Sequence, residues 1–353
     1  MPDAIDNGIL LPFRADADRQ SRRNLFVMMA EAAHLSGKNG DNPSVEGLAP
    51  FYSTPLGAAY LTDTLDGLRA TKTESVNLIF TSPPYALHFK KAYGNVDKDE
   101  YVKWFLRFAV EMFRVLKPDG SFVLNIGGSY NKGTPTRSLY HFKLLIALVE
   151  NVGFHLAQEC FWYNPAKMPM PAEWVTVRKI RIKDSVEYLW WLSKTPHPKA
   201  TNQTVLKQSF SADMHRLNKR GLRETTRPGG YKINSSWAEM KTKGAIPSNF
   251  LEQNLIETPD EIPESVIRVG NNAANDKYTL KCKAAGIKIH PARFPAALPE
   301  FFIRMLTEPR DLVMDTFAGS NTTGAVAERL ERRWIAFDNV EDYLKGSRFR
   351  FEQ

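Results

Sequence analysis

A doubly wound α/β sheet interrupted by one basic insertion is the fold the sequence predicts, and three observations predict it. Short apolar runs alternate with stretches of helical periodicity from Tyr60 onward, and the same alternation resumes at Leu298. Between them lies a segment rich in cations and turn-forming residues. Strands separated by helices pair in parallel through right-handed crossovers, which is the doubly wound arrangement.

In chain order, residues 1–45 read as an N-terminal extension, in which Arg14, Arg19, Arg22 and Arg23 precede an apolar stretch, Leu25 to Ala33, suited to one short helix. Ser75 to Phe80 is a strand that ends on Thr81-Ser82-Pro83-Pro84-Tyr85. From Asp99 to Leu116 the residues Val102, Phe105, Leu106, Ala109, Met112, Phe113 and Leu116 recur at helical spacing, so this stretch buries one face of a helix. Lys117-Pro118-Asp119-Gly120 stops that helix with turn chemistry, and Phe122 to Ile126 is the next strand. A helix over 139–152 and a strand over 156–163 follow, and an apolar run over 183–192 leads into the basic segment. Beyond an acidic loop, 257–264, broken by Pro259 and Pro263, come a helix over 298–306, a strand over 312–315, a helix over 322–330 and a strand over 334–337.

With 353 residues, 43% hydrophobic and 24% charged, the chain has the composition of a soluble globular enzyme and the length to carry a second, smaller domain. No apolar run reaches the length of a membrane span, and residues 1–13 lack a signal-peptide core, so a cytoplasmic location is expected. Two cysteines, Cys160 and Cys282, provide neither a disulfide framework nor zinc-ligand spacing, so inert thiols and no metal are expected. The net charge is +8, and its location is informative. From Lys194 to Lys243 eleven Lys and Arg stand against three acids, an excess equal to that of the whole chain. Phe210, Tyr231, Trp237 and the turn Arg227-Pro228-Gly229-Gly230 lie in the same stretch. Cations interleaved with planar side chains on loops suit phosphate neutralisation and contact with bases. An arm on nucleic acid and a plain surface helix fit the N-terminal extension equally well.

Two motifs carry chemistry. Asp315-Thr316-Phe317-Ala318-Gly319-Ser320-Asn321-Thr322-Thr323-Gly324 joins an apolar strand to a helix. Small residues there let backbone amides approach a ligand, and the helix start favours a carboxylate. A phosphate loop is excluded, because the Lys-Ser/Thr pair that should follow the glycine is missing. Asp338 ends the next strand, where an acid accepts ribose hydroxyls. The second motif, Thr81 to Tyr85, sits at the carboxyl end of a strand, where open α/β sheets bind ligands. Its two prolines remove backbone donors, leaving carbonyls, the Ser82 hydroxyl and an aromatic face around a planar group bearing an NH2. Alone, the first motif fits any nucleotide-binding α/β protein or a tight turn with a strand-end acid, and the second fits a proline turn capped by serine with Tyr85 in the core.

Together they resemble the signature pair of the DNA amino-methyltransferases, a Phe-x-Gly-x-x-Thr-Thr type loop and an (Asp/Asn/Ser)-Pro-Pro-(Tyr/Phe) loop. The order, catalytic loop first and cofactor loop last, is similar to that of the permuted β group, and looks closest to the PvuII-type N4-cytosine enzymes. Lys167 to Trp174, Arg181-Ile-Lys-Asp184, Trp190-Trp191-Leu-Ser-Lys194 and His290 to Phe302 extend the likeness over roughly residues 50–350. The resemblance implies a Rossmann-like S-adenosylmethionine-dependent methyltransferase sheet with an inserted target-recognition domain at 195–285. The catalytic half would be 46–194 and the cofactor half 286–353. It implies further that Phe317, Ala318, Gly319, Ser320, Asn321 and Thr322 wrap the methionine part of the cofactor, with Thr81 and Asp315 beside them. Asp338 would hold the ribose, Asp63 the adenine amino group, and His290, Pro291, Arg293, Phe294 and Pro295 would close over the tail. Ser82, Pro83, Pro84 and Tyr85 would hold a flipped-out base. Arg223, Arg227, Tyr231 and Lys232 are placed at the DNA bases, on double-stranded DNA.

Two residues depart from the family pattern. Asn321 stands where many relatives have glycine; asparagine tolerates a left-handed φ better than other side chains, so the turn should survive. Asn125 stands where PvuII-type relatives often have Asp, and an amide can orient an amine but cannot accept its proton. Methylation at C5 of cytosine is excluded, because neither Cys160 nor Cys282 follows a proline. Ser82 favours N4 of cytosine over N6 of adenine. A non-catalytic DNA-binding relative, and a companion restriction endonuclease as functional partner, stay open.

Overall fold

Runs such as Val76–Thr81, buried at every position, satisfy a strand covered on both faces. The computed structural model describes residues 43–86, 97, 99–164, 167–206, 212–220, 225–226, 228–230, 232–233, 244–251 and 277–352. Their strands are β1 (Tyr52–Ser53), β2 (Gly57–Leu61), β3 (Val76–Thr81), β4 (Leu116–Ile126), β5 (His155–Tyr163), β6 (Val186–Ser193), β7 (Thr225–Thr226), β8 (Lys232–Ile233), β9 (Phe250–Leu251), β10 (Leu312–Asp315) and β11 (Arg333–Asp338). The helices are α1 (Thr64–Ala70), α2 (Tyr101–Val115), α3 (Tyr140–Ala147, continued by a wider turn through Val152), α4 (Ala212–Arg220), α5 (Lys277–Ala284), α6 (Ala297–Leu306), α7 (Thr322–Arg329) and α8 (Glu341–Ser347). Residues 1–42, and with them the expected Leu25–Ala33 helix, lie outside the described residues.

Nine of these strands form one sheet in the order β1-β2-β11-β10-β3-β4-β6-β5-β9, and β7 pairs with β8. From β2 to β4 the pairing is parallel throughout. Strand β6 runs antiparallel between β4 and β5, a departure from an all-parallel sheet. The chain returns from β5 without a long crossover helix, and a reversed neighbour is what such a return allows. The expected stop at Lys117–Gly120 also takes a different form. Val76 pairs with Leu116 and Leu78 with Ser121, so the strand starts directly after the helix and residues 117–120 bulge out of the ladder.

Alternation along each strand sorts two cores. Ile79, Phe122, Leu124, Met314, Ile335 and Phe337 face Leu68, Phe105, Met112 and Leu144 of α1, α2 and α3. Leu78, Phe80, Val123, Val313, Trp334 and Ala336 face Phe302, Val326, Ala327 and Leu344 of α6, α7 and α8. Both ends of the expected 195–285 insertion are tied to this sheet domain. Lys199 bonds Asp311 at 2.8 Å and the Thr201 amide bonds the Met305 carbonyl. On the other side, α5 meets α8, where a Cβ on Gly346 would lie 2.9 Å from Cys282 Sγ. Both cysteines are buried and neither is in a disulfide, and burial pushes the Cys160 thiol up to about 12.

The strand order fixes where a ligand can sit. From β3 the chain proceeds to β4 on one side, and from β10 to β11 on the other. Adjacent β3 and β10 therefore flank the point where the winding reverses, and open sheets form their crevice there, beyond the carboxyl ends of the strands. The Ser82–Tyr85 loop leaves β3 and the Phe317–Thr322 loop leaves β10 at that point.

Candidate active site

A cavity of about 510 Å³ opens at this switch point, and both loops line it. From the first come Ser82, Pro83, Pro84 and Tyr85; from the second come Phe317, Ala318, Ser320 and Thr322. Asp63, Asn125, His290, Arg293, Phe294 and Asp338 complete the expected residues on its wall. Residues distant in sequence thus meet as the two motifs require.

Thr81 and Asp315, expected at the cofactor, are not on that wall. Both are buried, and Thr81 Oγ1 donates to Asp315 Oδ1 at 2.7 Å. Thr323 Oγ1 donates to Asp315 Oδ2 at 2.7 Å, and the Phe317 amide donates to Oδ1 at 3.2 Å. Asp315 is therefore a clamp that ties the ends of β3 and β10 to the start of α7. Burial raises its carboxyl to about 6 although its three donors pull the other way. Pro291, Pro295, Gly319 and Asn321 also lie off the wall. Gly319, at φ +51°, turns its Cα to His290, and a Cβ there would lie 2.8 Å from His290 Nε2. Asn321 adopts φ 51°, ψ 45°, the left-handed conformation that its glycine-like position demands. Its side chain accepts from the Gly324 amide at 3.0 Å, capping α7, and its Nδ2 donates to Tyr52 Oη at 3.0 Å.

The wall formed by the Phe317–Thr322 loop and Asp338 is shaped by neighbours. Phe317 sits 5.4 Å from Phe108 and 6.0 Å from Trp104, ring to ring. Asp338 accepts from the Gly319 amide at 2.7 Å and from the Val340 amide at 2.8 Å, so one acid orients both the turn and the chain beyond β11. Burial raises its pKa above the usual carboxylate range, and those amides oppose the shift. Asp63, exposed, caps α1 by accepting from the Leu65 amide at 2.8 Å. His290 packs edge-on to Tyr343 at 4.5 Å, and burial holds its imidazole down to about 4, hence neutral near pH 7.

The catalytic-loop wall has a hydrogen-bonded centre. Tyr85 Oη lies 3.3 Å from Ser82 Oγ and offers its proton to Asn125 Oδ1 at 3.2 Å or Glu187 Oε2 at 2.9 Å. Asn125 Nδ2 donates to the Tyr188 carbonyl at 3.1 Å, which turns its oxygen toward Tyr85. Glu187 Oε1 accepts from Lys167 Nζ at 3.0 Å. Burial, then the Glu187 charge, drives the Tyr85 phenol well above its ordinary range, so it stays a neutral donor. The Pro84 carbonyl accepts from Tyr101 Oη at 2.8 Å, anchoring the loop on α2.

Sequence reasoning did not single out Glu187, Trp104, Arg107, Phe108, Trp162 or Tyr343, all of which line the cavity. One signal was available for Glu187: it is the acid in the otherwise apolar, buried run of β6. Of the residues placed at the DNA bases, Arg223, Arg227 and Tyr231 lie outside the described residues, and Lys232, in β8, is exposed. Among the described residues no cluster of three or more His, Cys, Asp or Glu could hold a metal, and no helix is long and apolar enough to cross a membrane.

Two motif loops thus face each other across one cavity at the switch point of the sheet. The chain belongs to the DNA methylase family, of N6 and N4 type, whose model matches residues 76–348. Over 308 residues, 86% of each chain, it is 47% identical to the type II methyltransferase M.PvuII of Proteus hauseri. It is 24% identical to the type II methyltransferase M.SfiI of Streptomyces fimbriatus, over 83% of this chain and 90% of that one. The solved structure of the PvuII DNA methyltransferase, cytosine-N4-specific, matches with a TM-score of 0.67 at 44% identity, covering 87% of this chain and 90% of that chain. The Rossmann-like methyltransferase fold follows from that match.

Proposed function

We propose that this chain transfers a methyl group from S-adenosylmethionine to N4 of a cytosine swung out of duplex DNA. The observation that carries the reading is the meeting of Ser82–Tyr85 with Phe317–Thr322 across one cavity, in a chain 47% identical to M.PvuII. Ser82 in that loop favours cytosine over adenine. A base within the duplex cannot reach such a cavity and must flip out to enter it.

The residues present fit the cofactor. The close approach of Gly319 to His290 leaves a narrow turn beside the methionine part, and Asp338 retains lone pairs for ribose hydroxyls beyond its two amides. Phe317 supplies an apolar wall, Asp63 an acceptor for the adenine amino group, and His290, Arg293 and Phe294 the cover. When bound, the cofactor supplies an electrophilic sulfonium methyl group. The chain's own work is to orient and to exclude water. Ser82 and the Pro83 carbonyl hold the amine so that its lone pair points along the transfer direction, and the Tyr85 ring stacks on the base. Thr81 and Asp315 act behind the wall, keeping the two loops in register.

Residues 195–285 are proposed as the target-recognition domain, with Arg223, Arg227, Tyr231 and Lys232 toward the bases. Their charge supports this, since phosphate contacts position a protein on DNA. Because the relatives are type II methyltransferases, the chain is proposed to protect the sites of a companion endonuclease in the bacterial cytoplasm.

Nucleoside mass spectrometry on DNA from cells expressing the wild type, Ser82→Ala and Pro83→Ala tests the reading. N4-methylcytosine from the wild type alone is expected. N6-methyladenine would overturn the target assignment, and no modified base with cofactor bound would overturn the enzyme assignment.

A further inference from the structure

We propose that Glu187 is the proton acceptor of the reaction and supplies the carboxylate that Asn125 lacks. The inference rests on the amine methylation proposed above. When the amine lone pair forms the new N–CH3 bond, the S–CH3 bond breaks and its electron pair stays on sulfur. The nitrogen then carries one proton more than the neutral product, and that proton needs a base. Ser82 and Asn125 orient an amine but are not bases at neutral pH.

Glu187 is placed for this. It lines the same cavity as Ser82, Tyr85 and Asn125. It is buried, and its Oε2 lies 2.9 Å from Tyr85 Oη, which is itself 3.3 Å from Ser82 Oγ. The acid thus stands one hydroxyl away from the group that holds the amine. Its other oxygen is paired with Lys167 Nζ at 3.0 Å, which fixes the direction of the carboxylate. A carboxylate buried in a largely apolar strand carries a desolvation penalty that a leucine there would not, so its position beside the Ser82–Tyr85 loop calls for a role. The charged or titratable groups facing it are Tyr85, Lys167 and Tyr140; none of these is a free base, because both phenols are held above their ordinary range and the lysine already donates to Glu187 Oε1. In the proposed step the N–H proton passes to Ser82 Oγ as Ser82 gives its own proton to Tyr85 Oη and Tyr85 gives its own to Glu187 Oε2; the carboxylate becomes a neutral acid, and water carries the proton away after product leaves.

The test is single-turnover methylation of unmodified genomic DNA by Glu187→Gln and Glu187→Asn, each with and without Asn125→Asp, alongside calorimetric titration of S-adenosylmethionine. Loss of a general base slows the step by about a hundredfold or more. Both single variants should show that loss with cofactor affinity unchanged, and Asn125→Asp should restore most of the rate by returning a carboxylate to the neighbouring strand. A purely structural role for Glu187 would weaken cofactor binding and would not be rescued from Asn125. Single variants within about threefold of wild type, or an unrescued loss, overturn the proposal. A wild type that makes no N4-methylcytosine overturns the methylation reading instead.

Discussion

Replacing Asn321 by alanine and by glycine separates two demands made on one buried residue. At φ 51°, ψ 45° the backbone is left-handed, a conformation that adds about 1–2 kcal/mol for an alanine but almost nothing for glycine. Either replacement removes the bond from Asn321 Nδ2 to Tyr52 Oη, worth about 1 kcal/mol net; Tyr52 keeps Ser347 Oγ at 2.8 Å. Either also removes the side-chain cap on the Gly324 amide. Loss of such a cap is worth about 1 kcal/mol to alanine and a few tenths to glycine. Asn321→Ala should therefore destabilise the chain by about 3–4 kcal/mol and Asn321→Gly by about 1.5 kcal/mol. Urea unfolding followed by tryptophan fluorescence reads both midpoints. Equal midpoints, or glycine the weaker, would refute the reasoning, since the φ of Asn321 would then have no energetic weight.

Two further outcomes concern His290 and the turn packed against it. His290, held down to about 4 by burial from its usual 6.5, binds its proton in the unfolded chain at a higher pH than in the folded one. Its contribution is therefore complete above pH 6.5 and falls as pH drops toward 4, by about 2 kcal/mol between pH 7.5 and 5. His141, also held near 4, titrates in the same window, so the comparison is wild type against His290→Gln; identical acid sensitivity would sink the assignment. Gly319→Ala sets a methyl group 2.8 Å from His290 Nε2 at φ +51°. Cofactor affinity by calorimetry should fall about tenfold, roughly 1.4 kcal/mol, and an unchanged affinity would mean that His290 does not cover the cofactor.

Much of the sheet was legible because strands buried on both faces are continuous apolar runs. The strand expected over 312–315 is β10, and the helix expected over 322–330 differs from α7 by a single residue at its end. The stripe on α2 was read in part: Phe105, Ala109 and Met112 are buried as expected, and Phe108 and Val115 join them. Short elements were missed for physical reasons. Helix α5 alternates Lys277, Lys281 and Lys283 with its buried Tyr278 and Cys282, so its basic face reads as part of the insertion. Helix α8 carries Gly346 in its last turn, an unfavourable residue for a helix, placed where a Cβ would lie 2.9 Å from Cys282 Sγ. The left-handed turn at Asn321 was legible because few residue types can occupy that conformation. The burial of Asp315 was not, since an acid opening a loop on a ligand and an acid clamping the loop from behind look alike along the chain.

The position of Glu187 marks where a linear reading of a catalytic site fails. Asn125 and Glu187 lie 62 residues apart in sequence, yet both reach the Tyr85 hydroxyl. Strands β4 and β6 are antiparallel neighbours, with Asn125 opposite Leu189 and Ile126 opposite Tyr188. Glu187, two residues from Leu189, lies on the same face as Asn125 and diagonally across from it, a separation of about 7–8 Å that long side chains still span. A functional group needed at one point above the sheet can therefore come from either strand. A motif anchored on β4 registers the change to Asn125 as a lost base. The sheet geometry makes it a relocation, since a carboxylate on β6 faces the same hydroxyl from the other side. Lys167, 3.0 Å from Glu187, supplies the partner that any buried carboxylate needs. Sites of this kind are specified by the position of the chemical group, and the residue number that delivers it is free to change.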